Sequence, residues 1–463
     1  MTNFATGSIN DELLFRIDNS IESRLFHKIV ILVSLGMLEA SIGVYTGSAV
    51  ASSLTASKWS TAQENSMLLS ANFLGLLIGS LIAGLIGDYK GRKVAYQVNL
   101  LLFGGFTVLS AFSPNMDMLI VCRFLAGIGL GSEIVTGFTF INEFAPVARR
   151  GRWCGLVRLF AQRRTFSRPV ARRGRWCGLV SLVANCGLPT SILLSALVIP
   201  NTSWRVVFFV VGILAIVLWF FRKDIPESPR WLISKGRYEE AALIVEQLNS
   251  ASITNYRNND KSKGTALLKR DQHHNLFVML TVGVVAAVAT NVCSYAFTTW
   301  VPTILVSKGI SLSSSLLTSS LMMLGAPFGC LIGLLLLDRI GRKKMIVSAF
   351  LMTAILGIAY AKQSTTISAI ILGFFLVLFL YVLTASVTAV YVPELFPTRI
   401  RFRCVGIVNA AAKSGNVFMP LFVAFLLAKK QEGLIYASIS VLAIVAMVIV
   451  GFFGPETSHR KLR

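Results

Sequence analysis

The chain predicts an all-α membrane protein of about twelve transmembrane helices in two six-helix halves, and three observations predict it. Apolar segments long enough for the roughly 30 Å hydrocarbon core recur along the whole length. One polar signature follows an apolar run twice, about 250 residues apart: Gly84-Leu85-Ile86-Gly87-Asp88-Tyr89-Lys90-Gly91-Arg92-Lys93, then Asp338-Arg339-Ile340-Gly341-Arg342-Lys343-Lys344. A later set keeps nearly that offset, with Glu143, Pro146 and Arg150 recurring as Glu394, Pro397 and Arg401. The same loops in the same order indicate internal duplication, an architecture found in membrane transporters.

Composition supports this class. Of 463 residues, 54% are hydrophobic and 14% charged, so a soluble fold would expose aggregating patches and lipid is the better solvent. The apolar runs begin near Ile29, Met67, Val98, Met118, Leu179, Val207, Phe277, Leu316, Met345, Ile367, Val405 and Leu434. The third, fifth and ninth are the weakest. Residues 28–221 form the first half and 276–454 the second. A polar linker spans 222–275, with a helix-like stretch from Arg237 to Leu243 and a Ser/Asn/Lys-rich part from Asn249 to Lys263. Short segments, 1–27 and 455–463, flank the halves.

The net charge of +23 resembles a nucleic-acid footprint until it is located. Basic residues crowd alternate loops: Lys90 to Lys93, Arg149 to Arg175, Arg222 to Arg270, Arg339 to Lys344 and Arg399 to Arg403. Positive loops stay in the cytoplasm, which predicts two cytoplasmic termini, an even helix count and no nucleic-acid partner. In a bacterium the location would be the inner membrane. Residues 1–27 mix acidic and basic groups and are not a signal peptide. Seven cysteines lack metal-ligand spacing and read as reduced, buried side chains, so no metal is expected.

One feature has no architectural reason. Pro146 to Val157 recurs unchanged as Pro169 to Val180, separated by a spacer that matches neither flank. The insertion near 146–180 reads first as an accident that lengthens a basic loop. An arginine-rich surface for anionic lipid is the alternative.

The ordered motifs identify the chain as similar to the major facilitator superfamily, in its sugar porter and metabolite–proton symporter branch. They are the two loops above, Arg123-Phe124-Leu125-Ala126-Gly127-Ile128-Gly129-Leu130-Gly131-Ser132-Glu133, Glu143-Phe144-Ala145-Pro146, Pro226 to Leu232, Pro393 to Thr398, and Pro455-Glu456-Thr457. The resemblance implies the major facilitator fold and an inner gate made by Gly84, Asp88, Gly91, Arg92, Glu143, Arg150, Glu227, Arg230, Asp338, Gly341, Arg342, Glu394, Arg401 and Glu456. In that gate the Asp88 and Asp338 carboxylates would meet arginines of neighbouring loops and hold the inner side shut, with Glu143 and Arg150, Glu394 and Arg401, Glu227, Arg230 and Glu456 completing the network. Leu334 stands where the family usually has glycine, and Glu39-Ala40-Ser41 stands where it has Gly-Tyr-Asp.

Charges inside a bilayer are costly and face a cavity or a partner. Helical rise places Glu39 about 17 Å deep and Lys413 about 15 Å, with Glu133 about 24 Å from the opposite side and Arg123 only about 9 Å. A carboxylate withdrawn from water takes up a proton more readily, so Glu39 or Glu133 is the expected proton acceptor. Lys413 would neutralise a carboxylate or hold an anionic substrate, while a structural ion pair is the competing account. Asn291, Tyr295 and Thr299 recur at fourth positions on one face, with Trp300 beside them. They are candidate substrate contacts, as are Asn409 and Asn416; interfacial anchoring competes for Trp300.

The glycine run from Ala126 to Gly131 lies mid-span with no strand before it, which means close helix packing rather than a nucleotide loop. There is no Walker loop and no nucleophile–base set, so no enzyme and no cofactor is expected. The proton gradient is the expected energy source for moving a small polar or anionic metabolite, in the sugar or organic-acid class, by alternating access. The protein is expected to act as a monomer in the lipid bilayer. A non-transporting sensor on this fold, and an inactive product caused by the 146–180 repeat, remain open alternatives.

Overall fold

In the computed structural model, residues 12–14, 16–17, 23–144, 173–249, 276–363, 365–396, 398–429 and 431–457 are described. Twelve helices there are long and apolar enough to cross a membrane. They are α1 (Arg24–Ala56), α2 (Ala62–Lys90), α3 (Arg92–Ala111), α4 (Met116–Phe144), α5 (Arg173–Val198) and α6 (Trp204–Phe221). The second half holds α7 (Leu276–Ser307), α8 (Leu312–Met323 continued by Gly325–Ile340), α9 (Arg342–Ala361), α10 (Thr366–Leu395), α11 (Thr398–Ala428) and α12 (Glu432–Phe453). Two short helices, Pro229–Ser234 and Tyr238–Asn249, lie in the linker. Leu13 and Ile17 pack against them with Leu232, Ile233, Ala241 and Val245.

Local chemistry sets the boundaries. The Ser23 hydroxyl accepts from the Phe26 N–H at 3.3 Å and opens α1. Thr61 and Glu64 form a reciprocal capping box on α2. The third and ninth spans read weakly because each opens on basic residues directly after a charged turn, Arg92-Lys93 and Arg342-Lys343-Lys344. Those turns rest on Gly91 at φ 105° and Gly341 at φ 95°, a region a side chain rarely adopts. The fifth span starts inside the second copy of the repeat, at Arg173. The first copy lies outside the described residues.

Packing repeats the duplication. A Cβ at Gly79 would lie 2.0 Å from the Ile128 carbonyl oxygen, so α2 and α4 meet backbone to backbone. At the matching place in the second half, a Cβ at Gly329 would lie 2.1 Å from the Leu378 carbonyl oxygen, joining α8 to α10. The glycine run in α4 is therefore a packing surface. Gly84, by contrast, has open space around it, which explains why its counterpart can be Leu334. In α10 a π-helical stretch, Thr384–Tyr391, precedes Pro393, which lacks an N–H and crowds the carbonyl four residues earlier.

The halves meet through α1 with α7, α2 with α11, and α5 with α8. Both halves turn their Gly-Arg-Lys loops to one end of the bundle, called here the basic face.

Candidate functional site

The most enclosed charges lie between α1, α3, α4 and α6. Arg222, the residue that closes α6, turns its side chain inward and is fully buried. Its Nη2 donates to Glu133 Oε1 at 2.7 Å and to the Leu32 carbonyl at 3.4 Å, and its guanidinium stacks 3.9 Å from the Tyr96 ring centre. Gly36 makes the room: a Cβ there would fall 1.4 Å from Nη2 and 2.6 Å from Glu133 Oε1. Three buried polar atoms of this pair, Glu133 Oε2 and Arg222 Nε and Nη1, have no hydrogen-bond partner.

Two expectations change here. Arg222 belongs to the core of the first half, not to the linker. Glu133 is neutralised by Arg222 of its own half, so of the two roles open to Lys413, neutralising this carboxylate is already filled. Glu39 sits one turn beyond Gly36 on α1, about 4.5 Å further along the axis. It is buried with Oε1 lacking any hydrogen-bond partner, and no described cation pairs with it within 4.0 Å.

Arg123 plays a different part. Its Nη2 donates to the Gly43 carbonyl at 2.8 Å and to Asn72 Oδ1 at 3.1 Å, and its guanidinium lies 5.1 Å from the Phe208 ring centre. It clamps α1, α2 and α6 onto α4 through neutral groups, with its buried Nη1 left without a hydrogen-bond partner.

In the second half, Lys413 on α11 is half-buried, with no described residue paired or hydrogen-bonded to it. Asn409, Lys413 and Asn416 share one face of α11 by their spacing. Asn409 is exposed, whereas Asn416 is buried with Oδ1 unpartnered. Asn291 is half-buried and turns its Nδ2 back to the Ala287 carbonyl at 2.9 Å. Trp300 is fully buried in the apolar core, which removes the interfacial-anchor account.

Tyr295 joins the halves. Its ring stacks on Tyr45 at 6.0 Å and meets Phe73 edge-on at 4.9 Å. Tyr45 shares a 2.8 Å hydroxyl–hydroxyl bond with Tyr381 of α10, and Ser48 donates to the Thr299 carbonyl. These links lie in the half of the bundle away from the basic face. Tyr45 and Tyr381 escaped the sequence reading because a tyrosine in an apolar run carries no signal of its partner.

On the basic face the charge networks stay within each half. Arg92 pairs with Asp88 at 2.6 Å and with Glu143 at 3.0 Å, and Arg230 Nε donates to the Glu143 carbonyl at 3.1 Å. Glu227 Oε1 accepts from the Lys93 N–H at 2.9 Å, capping α3. In the second half Arg342 pairs with Glu394 at 3.2 Å, and Glu456 accepts from the Arg342 and Lys343 N–H groups at 3.0 and 3.1 Å, capping α9. Thr457 Oγ1 donates to Glu394 at 2.6 Å. Among the described residues Glu143 pairs with Arg92 and Glu394 with Arg342, partners that the expected Glu143–Arg150 and Glu394–Arg401 pairing did not include. Each arginine sits in the turn that crosses beneath its glutamate, so it reaches the carboxylate directly. Arg150 lies outside the described residues, as do the side chains of Asp338 and Arg401. Among the described residues no ion pair on this face joins the two halves.

Residues 39–163 and 166–463 match the family model described as sugar (and other) transporter. The chain belongs to that family. Its fold is that of the major facilitator superfamily, and the family's members are transporters rather than enzymes. The break in the match falls in the spacer between the two repeat copies. Among relatives of this family, the chain is 32% identical to the inner membrane metabolite transport protein YdjE of Escherichia coli strain K12, over 98% of both chains. It is 25% identical to the niacin transporter NiaP of Acinetobacter baylyi, over 97% of this chain and 99% of that one. Its fold matches the inward-open xylose transporter XylE from E. coli with a TM-score of 0.72, at 18% identity, covering 94% of this chain and 98% of that one.

Proposed function

We propose that the chain is a proton-coupled secondary transporter of a small polar or anionic metabolite, working by alternating access with both termini in the cytoplasm. The observation that carries the reading is the contrast between two buried carboxylates. Glu133 is paired with Arg222 at 2.7 Å, whereas no described cation lies within 4.0 Å of the buried Glu39, whose Oε1 has no hydrogen-bond donor. An unpaired charge there is costly, and protonation removes it. Glu39 is therefore the proton carrier, with Arg222–Glu133 as the fixed charge pair beside it.

Lys413, unpaired in the opposite half, is the counterpart that favours an anionic substrate such as an organic acid over a neutral sugar. Asn291, Tyr295, Asn409 and Asn416 would supply hydrogen bonds around it. The basic loops keep their face in the cytoplasm, which also supports an inner-membrane location in a bacterium. The Tyr45–Tyr381 and Ser48–Thr299 links then close the outer side, while the described ion pairs on the inner side each lie within one half. That combination supports an inward-facing state of a monomer.

The test is uptake into proteoliposomes across a panel of sugars and organic acids, with and without an imposed pH gradient. An acid exterior should drive accumulation. Glu39→Gln should abolish accumulation yet spare exchange, and Lys413→Gln should weaken anionic substrates more than neutral ones. Accumulation by Glu39→Gln at the wild-type level would place the proton elsewhere, and a folded protein that moves nothing would overturn the transport reading.

A further inference from the structure

We propose that the seam between the start of α1 and the end of α6 binds the headgroup of an anionic phospholipid. A cavity of about 460 Å³ opens there on the basic face. That volume falls within the roughly 300–1,000 Å³ of small-ligand sites. Arg24, His27 and Lys28 form its rim, and Ile31, Leu32 and Phe221 its walls.

The cavity has the polarity profile of a phospholipid. Arg24, Lys28, Ile31 and Leu35 follow one another at three- and four-residue steps and so share one face of α1. Along that face charge gives way to exposed aliphatic side chains within about 16 Å. On α6, Phe220 and Phe221 are exposed, and the Lys223 ammonium lies 4.3 Å from the Trp219 ring centre and 4.8 Å from that of Phe220. Aromatic rings topped by a lysine mark the boundary between headgroups and acyl chains. The cations thus stand at headgroup level with apolar walls below them.

A phosphodiester fits the rim, and its acyl chains would cover the walls that a free anion would leave wet. Basic pockets between helices are a known means of holding anionic headgroups. The acidic residue in the lining is Asp224, whose exposed carboxylate lies 3.8 Å from Lys28 Nζ. A surface pair of that length is weak and leaves Lys28 able to engage a phosphate. The Leu32 side chain lines the cavity while its carbonyl receives Arg222, so the lipid would rest against the backbone that supports the buried pair.

Native mass spectrometry of the full chain, released from nanodiscs of mixed phosphatidylglycerol and phosphatidylcholine, tests the proposal. Phosphatidylglycerol should be retained selectively. Arg24→Gln with Lys28→Gln should weaken that retention roughly thirty-fold, and Asp224→Asn should strengthen it up to about five-fold. The gain is the decisive arm, because misfolding would not produce it. Lys429→Gln, at the opposite end of the bundle, should change nothing. Equal retention of both lipids, or unchanged retention in both the double variant and Asp224→Asn, would overturn the proposal. Displacement of the lipid by glycerol 3-phosphate at matched concentration would also overturn it, since the site would then recognise free phosphate esters.

Discussion

Replacing Gly36 by alanine should damage this protein more than an added methyl group suggests. The new Cβ would fall 1.4 Å from Arg222 Nη2, a covalent distance, so the guanidinium must withdraw. An arginine side chain is flexible, and the withdrawal itself costs little. The cost lies in what it leaves: Glu133, buried, without its 2.7 Å partner. Breaking a buried pair costs about 3–5 kcal/mol, and alanine's helix preference over glycine offsets about 1 kcal/mol. The net loss is about 2–4 kcal/mol. At roughly 2–4 °C per kcal/mol for a cooperative unit of about 200 residues, the melting temperature should fall by roughly 4–16 °C.

The assay is thermal unfolding of purified protein in detergent, followed by tryptophan fluorescence. Gly105→Ala is the matched control, since a Cβ there meets nothing within 4 Å, and it should be neutral or slightly stabilising. The double variant Gly36→Ala/Arg222→Gln should melt no lower than Arg222→Gln alone, because the guanidinium clash is gone and the Glu133 carboxylate, freed of its partner, can turn away from its own 2.6 Å contact. If Gly36→Ala melts with wild type, or if its loss adds fully to that of Arg222→Gln, the guanidinium does not pack on Gly36 and the argument fails.

Other consequences follow from the same structure. Glu133→Gln and Arg222→Gln should each destabilise by about 3–5 kcal/mol, while the double neutral variant recovers most of that loss in the same melts. Tyr381→Phe removes one hydroxyl bond between the halves, worth about 0.5–1.5 kcal/mol. It should shift the population roughly two- to ten-fold toward opening on the far side, read as increased labelling of a cysteine placed at Ser48; unchanged labelling would deny the bond a closing role. Glu456→Ala strips two backbone N–H groups of their charged acceptor and should cost about 2–3 kcal/mol. Equal melting of Glu456→Ala and wild type would mean that α9 does not depend on that cap.

Much of the fold was legible in local patterns. Hydropathy located all twelve spans, because each run must satisfy the bilayer by itself. The 250-residue offset between the loops also carried the glycine contacts Gly79 and Gly329, which repeat the packing of α2 on α4 in α8 on α10. The candidate site was legible only in part. Glu39, Glu133 and Lys413 stood out as charges inside apolar runs, but a charge announces its cost and not its partner. Arg222, at the end of a run, looked like the first residue of a basic linker, since nothing local shows which way a long side chain turns.

The sequence by itself therefore determined the class of the molecule, its duplicated halves and the short list of costly charges. Those properties sum over neighbouring residues. Tertiary structure alone decided that Arg222 pairs with Glu133, that Gly36 makes room for it, that no described cation pairs with Glu39, and that the described basic-face ion pairs lie within one half. Such pairings join residues far apart in the chain, and only the packing of α1, α3, α4 and α6 around one guanidinium brings them within reach.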